Sequence, residues 1–272
     1  MDGARIACRE LNPSAKGTPL VLIIGYGSTM AEWDPSFIQR LAEHRRVIMF
    51  DNRGMGNSTG SIRELTIRMM ADDAAGLIRT LKLGQTDVLG WSMGGFIAQA
   101  LTIQDPGLVR RLILASTDPG SARTVTGAPV VIGVLTNPDS TPSEKLAILF
   151  PADQQSAGDT WLQAVGSQPG ITADDFATPV TTLAAQTAAT TTGWLGRGEG
   201  VYAELRRVHA PTLVAYGTLD VIVPPANAQL LITRIPRAIG LRVGDAGHAF
   251  LFQQPTAIAT ASADFLNRRK VP

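Results

Sequence analysis

Short runs of aliphatic and β-branched residues recur along the chain at 19–24, 46–50, 86–90, 110–115, 211–216 and 239–243, and each reads as a strand. Between them, segments 36–43, 66–82, 94–104, 226–234 and 255–267 place apolar residues at helical spacing. Strands that are continuously apolar, rather than alternating, are buried on both faces, as in a parallel sheet covered by helices. The repeated strand-then-helix order therefore predicts an α/β fold, a doubly wound and mostly parallel sheet. A strand ahead of 19–24 is left open, because only ten residues precede Leu11.

The alternation stops between Gly120 and Gly200, where Thr, Ala, Gly and Pro accumulate and strand-like runs disappear. This predicts a core domain made of 1–119 and 201–272, interrupted by a mostly helical insertion at 120–200. The insertion differs in charge as well, with three basic residues (Arg123, Lys145, Arg197) against seven acidic ones, net −4; the remainder carries 21 against 16, net +5.

Composition narrows the function classes. With 272 residues, 44% hydrophobic content and a net charge of +1, the chain suits one soluble domain with an insertion and not a disordered segment. Near-neutral charge argues against nucleic-acid binding. The arginine pairs Arg45-Arg46 and Arg110-Arg111 precede strands and are expected on solvated faces, and Arg268-Arg269-Lys270 closes the chain. The longest aliphatic run, 20–24, is far short of the ~20 residues of a membrane helix, and residues 1–10 lack a signal-peptide core, so a cytoplasmic location is expected. A single cysteine, Cys8, and three histidines at no ligand spacing predict neither an internal disulfide nor a metal site.

The chemistry is concentrated in Gly90-Trp91-Ser92-Met93-Gly94, which follows a strand and opens a helix. That is the context of the G-x-S-x-G nucleophile elbow, in which a sharp turn projects a serine hydroxyl above the sheet edge. Flanking glycines leave room for the turn, and the helix N-terminus favours developing negative charge. A serine hydroxyl needs a base, and the base needs a carboxylate. Asp220 follows the strand 211–216 and His248 follows 239–243, so both stand at carboxyl ends of strands, where sites in open α/β sheets collect. Asp245 competes for the role of acid, but three residues before His248 it is better placed as a turn residue.

In this order of Ser92, Asp220 and His248, and in Asp51-Asn52-Arg53-Gly54-Met55-Gly56-Asn57-Ser58, the chain resembles the α/β-hydrolase superfamily. The second segment looks like the D-x-R-G-x-G-x-S of the branch with proline iminopeptidases, cofactor-free haloperoxidases and carboxylesterases. The resemblance runs from about Thr18 to Leu266 and implies that the insertion is a helical cap over the site. It also implies an oxyanion hole formed by the backbone N–H groups of Tyr26 and Met93, although Ile24 stands where the family commonly has histidine. Asp51 and Arg53 are expected to brace loops. Serine at position 92 disfavours the epoxide hydrolase and haloalkane dehalogenase chemistries of the superfamily, which use aspartate.

The expected activity is cofactor-free hydrolysis of a small-molecule carboxylic ester through an acyl-enzyme. Leu149, Phe150, Trp161 and Trp194, together with Leu146 and Leu162, are the expected substrate contacts of the cap. A proline iminopeptidase-like aminopeptidase, with cap carboxylates holding an α-amino group, and a small-molecule receptor or signalling module on the same scaffold are the alternatives.

Overall fold

The computed structural model describes residues 3–196 and 198–268. Arg197, Arg269 and Lys270 lie outside the described residues. Seven strands, β1 (Cys8–Leu11), β2 (Gly17–Ile23), β3 (Arg45–Phe50), β4 (Thr86–Trp91), β5 (Val109–Ala115), β6 (Thr212–Gly217) and β7 (Ala238–Val243), form one sheet in the order β1-β3-β2-β4-β5-β6-β7. All pairings are parallel except that of β1 with β3. The first strand is therefore present, as a four-residue, half-buried edge.

Helices α1 (Pro35–Ala42), α2 (Ile67–Thr80) and α3 (Met93–Gln104) alternate with the early strands; α4 (Pro129–Thr136), α5 (Pro142–Leu149), α6 (Gln155–Gly166) and α7 (Val180–Thr187) follow β5; α8 (Ala226–Arg234), α9 (Phe250–Gln253) and α10 (Pro255–Asn267) close the fold. Alternation of side chains along each strand divides the core in two. Leu20, Leu22, Val47, Leu89, Ile113 and Leu213 pack with α1 and α10 on one face. Val21, Ile23, Ile48, Val88, Leu112 and Val214 pack with α2, α3 and α8 on the other. This is why β4, central and covered twice, is buried at every position. Local signals set the helix starts: the Asp34 carboxylate accepts from the N–H groups of Ser36 and Phe37, and the Thr66 hydroxyl from that of Met69.

The arginine pairs correct a sequence expectation. Arg45 and Arg111 are buried, not solvated. Arg111 donates to the Arg268 carbonyl and lies over the Phe265 ring, whereas Arg45 answers to Asp87, a fully buried carboxylate near the start of β4 that must be paired. Arg45 Nη1 lies 3.0 Å from Asp87 Oδ2, and Arg110 binds the same carboxylate through Nε at 2.8 Å and Nη2 at 2.6 Å. This cluster occupies the end of β4 opposite Ser92.

Between β5 and β6 the described chain is helical, and α7 runs directly into a nine-residue π-helix, Ala188–Gly196. Residues of α4, α5, α6, α7 and the π-helix line cavities that also contain Ser92, which follows the end of β4.

Candidate active site

Ser92 is the single residue between β4 and α3, and it holds φ 57° and ψ −124°, a backbone region costly for a residue with a side chain. Three hydrogen bonds hold it there: its N–H donates to Ala115 O at 2.9 Å, and its carbonyl accepts from Thr117 Oγ1 at 2.9 Å and from the Gly95 N–H at 2.8 Å. The flanking glycines are required by close approach. A Cβ on Gly90 would stand 2.2 Å from the Gly94 carbonyl oxygen, and one on Gly94 would stand 2.0 Å from the Ile23 carbonyl oxygen of β2.

Asp220, in the loop after β6, is fixed by the N–H groups of Ile222 and Val223, which donate to Oδ1 at 3.0 and 2.9 Å. Its two oxygens meet His248 Nδ1 at 3.0 and 2.9 Å, with both residues buried. The loop carrying His248 is held from three sides. Trp91 Nε1 donates to the His248 carbonyl at 3.0 Å, the Ala249 N–H donates to Leu149 O at the end of α5 at 3.0 Å, and Gly217 presses so closely that a Cβ there would sit 2.3 Å from the Ala246 carbonyl oxygen. Asp245 is exposed, at φ 50°, with its N–H donating to Thr218 Oγ1. It is a turn residue.

Ser92 and His248 line one cavity of about 380 Å³. A second cavity of about 440 Å³ reaches Ser92 from the Met93 side. The Tyr26 and Met93 N–H groups have no hydrogen-bond partner among the described residues, and both residues line the second cavity. The loop holding Tyr26 has Ile24 in place of a bracing histidine, and α7 supplies the brace instead. The Tyr26 hydroxyl lies 2.9 Å from Thr187 Oγ1, and the Gly27 N–H donates to the buried Gln186 Oε1 at 2.9 Å. Burial raises the Tyr26 hydroxyl above its usual pKa.

Asp51 and Arg53 lie beneath these loops. Asp51 accepts from the N–H groups of Met30 and Asn57 at 2.8 and 2.9 Å. Among the described residues Arg53 pairs with Asp73 of α2, bound by Nε at 2.8 Å and Nη2 at 2.5 Å.

Of the expected substrate contacts, Leu149 and Trp161 line the first cavity, as do Leu146 and Leu162. Phe150 and Trp194 do not. Phe150 is buried against Trp161, ring centroids 6.1 Å apart; Trp194 stacks on Phe96 at 5.0 Å and donates from Nε1 to Asp118 at 3.2 Å. Apolar character marks a residue for burial without saying whether a cavity or a neighbouring helix covers it.

Three charged residues at these cavities were not singled out as site residues from sequence. Glu32 and Lys145 line the first, and Asp118 the second. Although Glu32 keeps some exposed surface, its carboxyl is enclosed by protein, and desolvation pushes it up to about 7 despite the Thr29 N–H that donates to it at 3.0 Å. In sequence it is only the last residue of a four-residue capping box begun by Thr29.

A family model described as the alpha/beta hydrolase fold matches residues 18–255. The chain belongs to that family. It is 30% identical over 266 residues to a protein of Mycobacterium tuberculosis named as a putative non-heme bromoperoxidase BpoC, covering 92% of this chain and 94% of that one. It is 29% identical over 257 residues to a pimeloyl-[acyl-carrier protein] methyl ester esterase of Aeromonas hydrophila, covering 88% and 92%. Among solved structures, an alpha/beta hydrolase fold protein from Chitinophaga pinensis superposes with a TM-score of 0.82 at 25% identity, over 98% of this chain and 95% of that one. No helix among the described residues of this hydrolase-fold protein is long and apolar enough to cross a membrane.

Proposed function

We propose that the chain is a serine hydrolase that cleaves carboxylic esters with small or medium neutral acyl groups through an acyl-enzyme. One observation carries the reading: His248, oriented by Asp220, opens on the same cavity as Ser92, which stands at the N-terminus of α3. His248 takes the Ser92 proton as Oγ attacks the ester carbonyl, and the Tyr26 and Met93 N–H groups receive the developing oxyanion. The tetrahedral intermediate collapses as His248 returns the proton to the leaving oxygen. Water then gives a proton to His248, attacks the acyl carbon and releases the acid, and the proton goes back to Ser92. Asp220 stabilises the imidazolium at each turn.

The helical insertion serves as the lid over these steps, and its inner face sets substrate choice, since the catalytic groups touch only the carbonyl common to all esters. The cap carboxylates that an aminopeptidase would use to hold an α-amino group do not reach the site: none of the seven acidic residues of the insertion lines either cavity at Ser92, where the carboxyls are Glu32 and Asp118 of the core segments. A relative named as a methyl ester esterase supports the choice of an ester.

The test is one plate of p-nitrophenyl esters of graded acyl length beside prolyl and alanyl arylamides. Hydrolysis of the esters, dependent on Ser92 and faster than that of the arylamides, is expected. Preference for the arylamides would favour an aminopeptidase, and binding without turnover a receptor.

A further inference from the structure

Ser92 lies between two cavities that differ in which catalytic groups they expose. The first contains His248 but not Met93; the second contains Met93 but not His248; Tyr26, Ser92, Leu135 and Thr136 border both. Resting on the serine-hydrolase reading, we propose that the ester binds in one orientation, with its acyl chain in the second cavity and a polar alcohol in the first.

The proton decides the direction. When the bond between the acyl carbon and the leaving oxygen breaks, that oxygen must accept the proton carried by His248, so the alcohol has to extend on the His248 side. The new bond from Ser92 Oγ holds the acyl carbon while its oxyanion faces the Met93 N–H. The remaining substituent, the acyl chain, is left with the cavity that Met93 lines.

The walls agree with that division. Phe96, Val125, Ile132, Leu195, Ile222 and Val223 give the second cavity an apolar surface suited to an alkyl chain. Its one carboxyl belongs to Asp118, buried and held by the Gly120 N–H at 2.8 Å and by Trp194 Nε1 at 3.2 Å. Desolvation raises this carboxyl to about 6, so above that pH it is an anion that repels an acyl chain ending in a carboxylate. The first cavity presents Glu32, Asn137, Ser140 and Lys145 among its apolar residues, which together can hydrogen-bond hydroxyl or amino substituents of an alcohol. Lys145 has no hydrogen bond or ion pair among the described residues and is available for that contact.

Two ester series separate the cavities: methyl esters of acids from acetate to octanoate, and acetates of alcohols from methanol to hexanol with glycerol included. Ile132→Trp fills the second cavity and Ile148→Trp the first. Ile132→Trp is expected to reduce kcat/KM for octanoate relative to acetate by about tenfold or more while keeping the order of the alcohols. Ile148→Trp is expected to do the reverse. Val125→Trp and Leu162→Trp, at positions 46% and 39% exposed, repeat the comparison should either first variant fail to fold. The opposite pairing of variant and series, equal narrowing of both, or no change in either would overturn the orientation. If the folded wild-type protein cleaves no ester in either series, the hydrolase reading itself fails, which a swapped pairing would not imply.

Discussion

The indole N–H of Trp91 donates to the backbone carbonyl of His248 at 3.0 Å, and the two rings lie 5.5 Å apart. The residue just before the elbow serine thus anchors the loop that carries the imidazole. Strand β4 leads into Ser92 and holds the loop of His248, the two partners of the proposed proton transfer.

Trp91→Phe keeps much of the ring packing and removes the donor, leaving a buried carbonyl unpaired at a cost of about 1–3 kcal/mol. A lower Tm and a several-fold smaller kcat, with KM little changed, are expected from thermal denaturation and ester kinetics. Unaltered kcat in a destabilised variant would show that the contact supports the fold alone.

Asp220→Asn should lose on the order of 10⁴ in kcat, since an amide can leave the imidazole in the wrong tautomer. Asp245→Asn should stay near wild type, because Asp245 is exposed and its N–H, not its carboxylate, makes the contact to Thr218. Kinetics of the two variants side by side would assign the acid to Asp245 if the order were reversed.

How much of this was legible in the sequence follows from which forces leave a local trace. Strands β2 to β6 could be read because burial leaves apolar runs, and the elbow because close approach at Gly90 and Gly94 admits no other residue; β7 was legible from its aliphatic residues although only Val243 of it is buried. Strand β1 left no such trace, being four half-buried residues on an edge. The burial of Arg45 depends on Asp87, 42 positions away, and a paired buried arginine is spelled the same way as a solvated one. Trp194 and Phe150 could be assigned to the insertion by position, but which neighbour covers a side chain is a property of packing. The second cavity, formed where the loops after β2 and β6 meet α3, α4 and the π-helix, has no sequence signal at all.

Glu32 makes stability depend on pH. An ordinary Glu titrates near 4.5, and here burial pushes the carboxyl up to about 7, so the folded protein binds more protons than the unfolded chain between those values. The resulting stability is present below 4.5 and is lost as pH rises through about 7. Glu32→Gln removes the charge while keeping an oxygen for the Thr29 N–H. Thermal denaturation should show the variant gaining on wild type at alkaline pH and not in acid; the same difference in Tm at both would exclude ionisation of Glu32 as the cause.

The central claim is that Ser92 is the nucleophile, and reaction with a fluorophosphonate followed by peptide mass analysis tests it most directly. One adduct per chain, on the peptide containing Ser92 and absent from Ser92→Ala, is the predicted result; labelling that persists in Ser92→Ala, or falls on another residue, would contradict it.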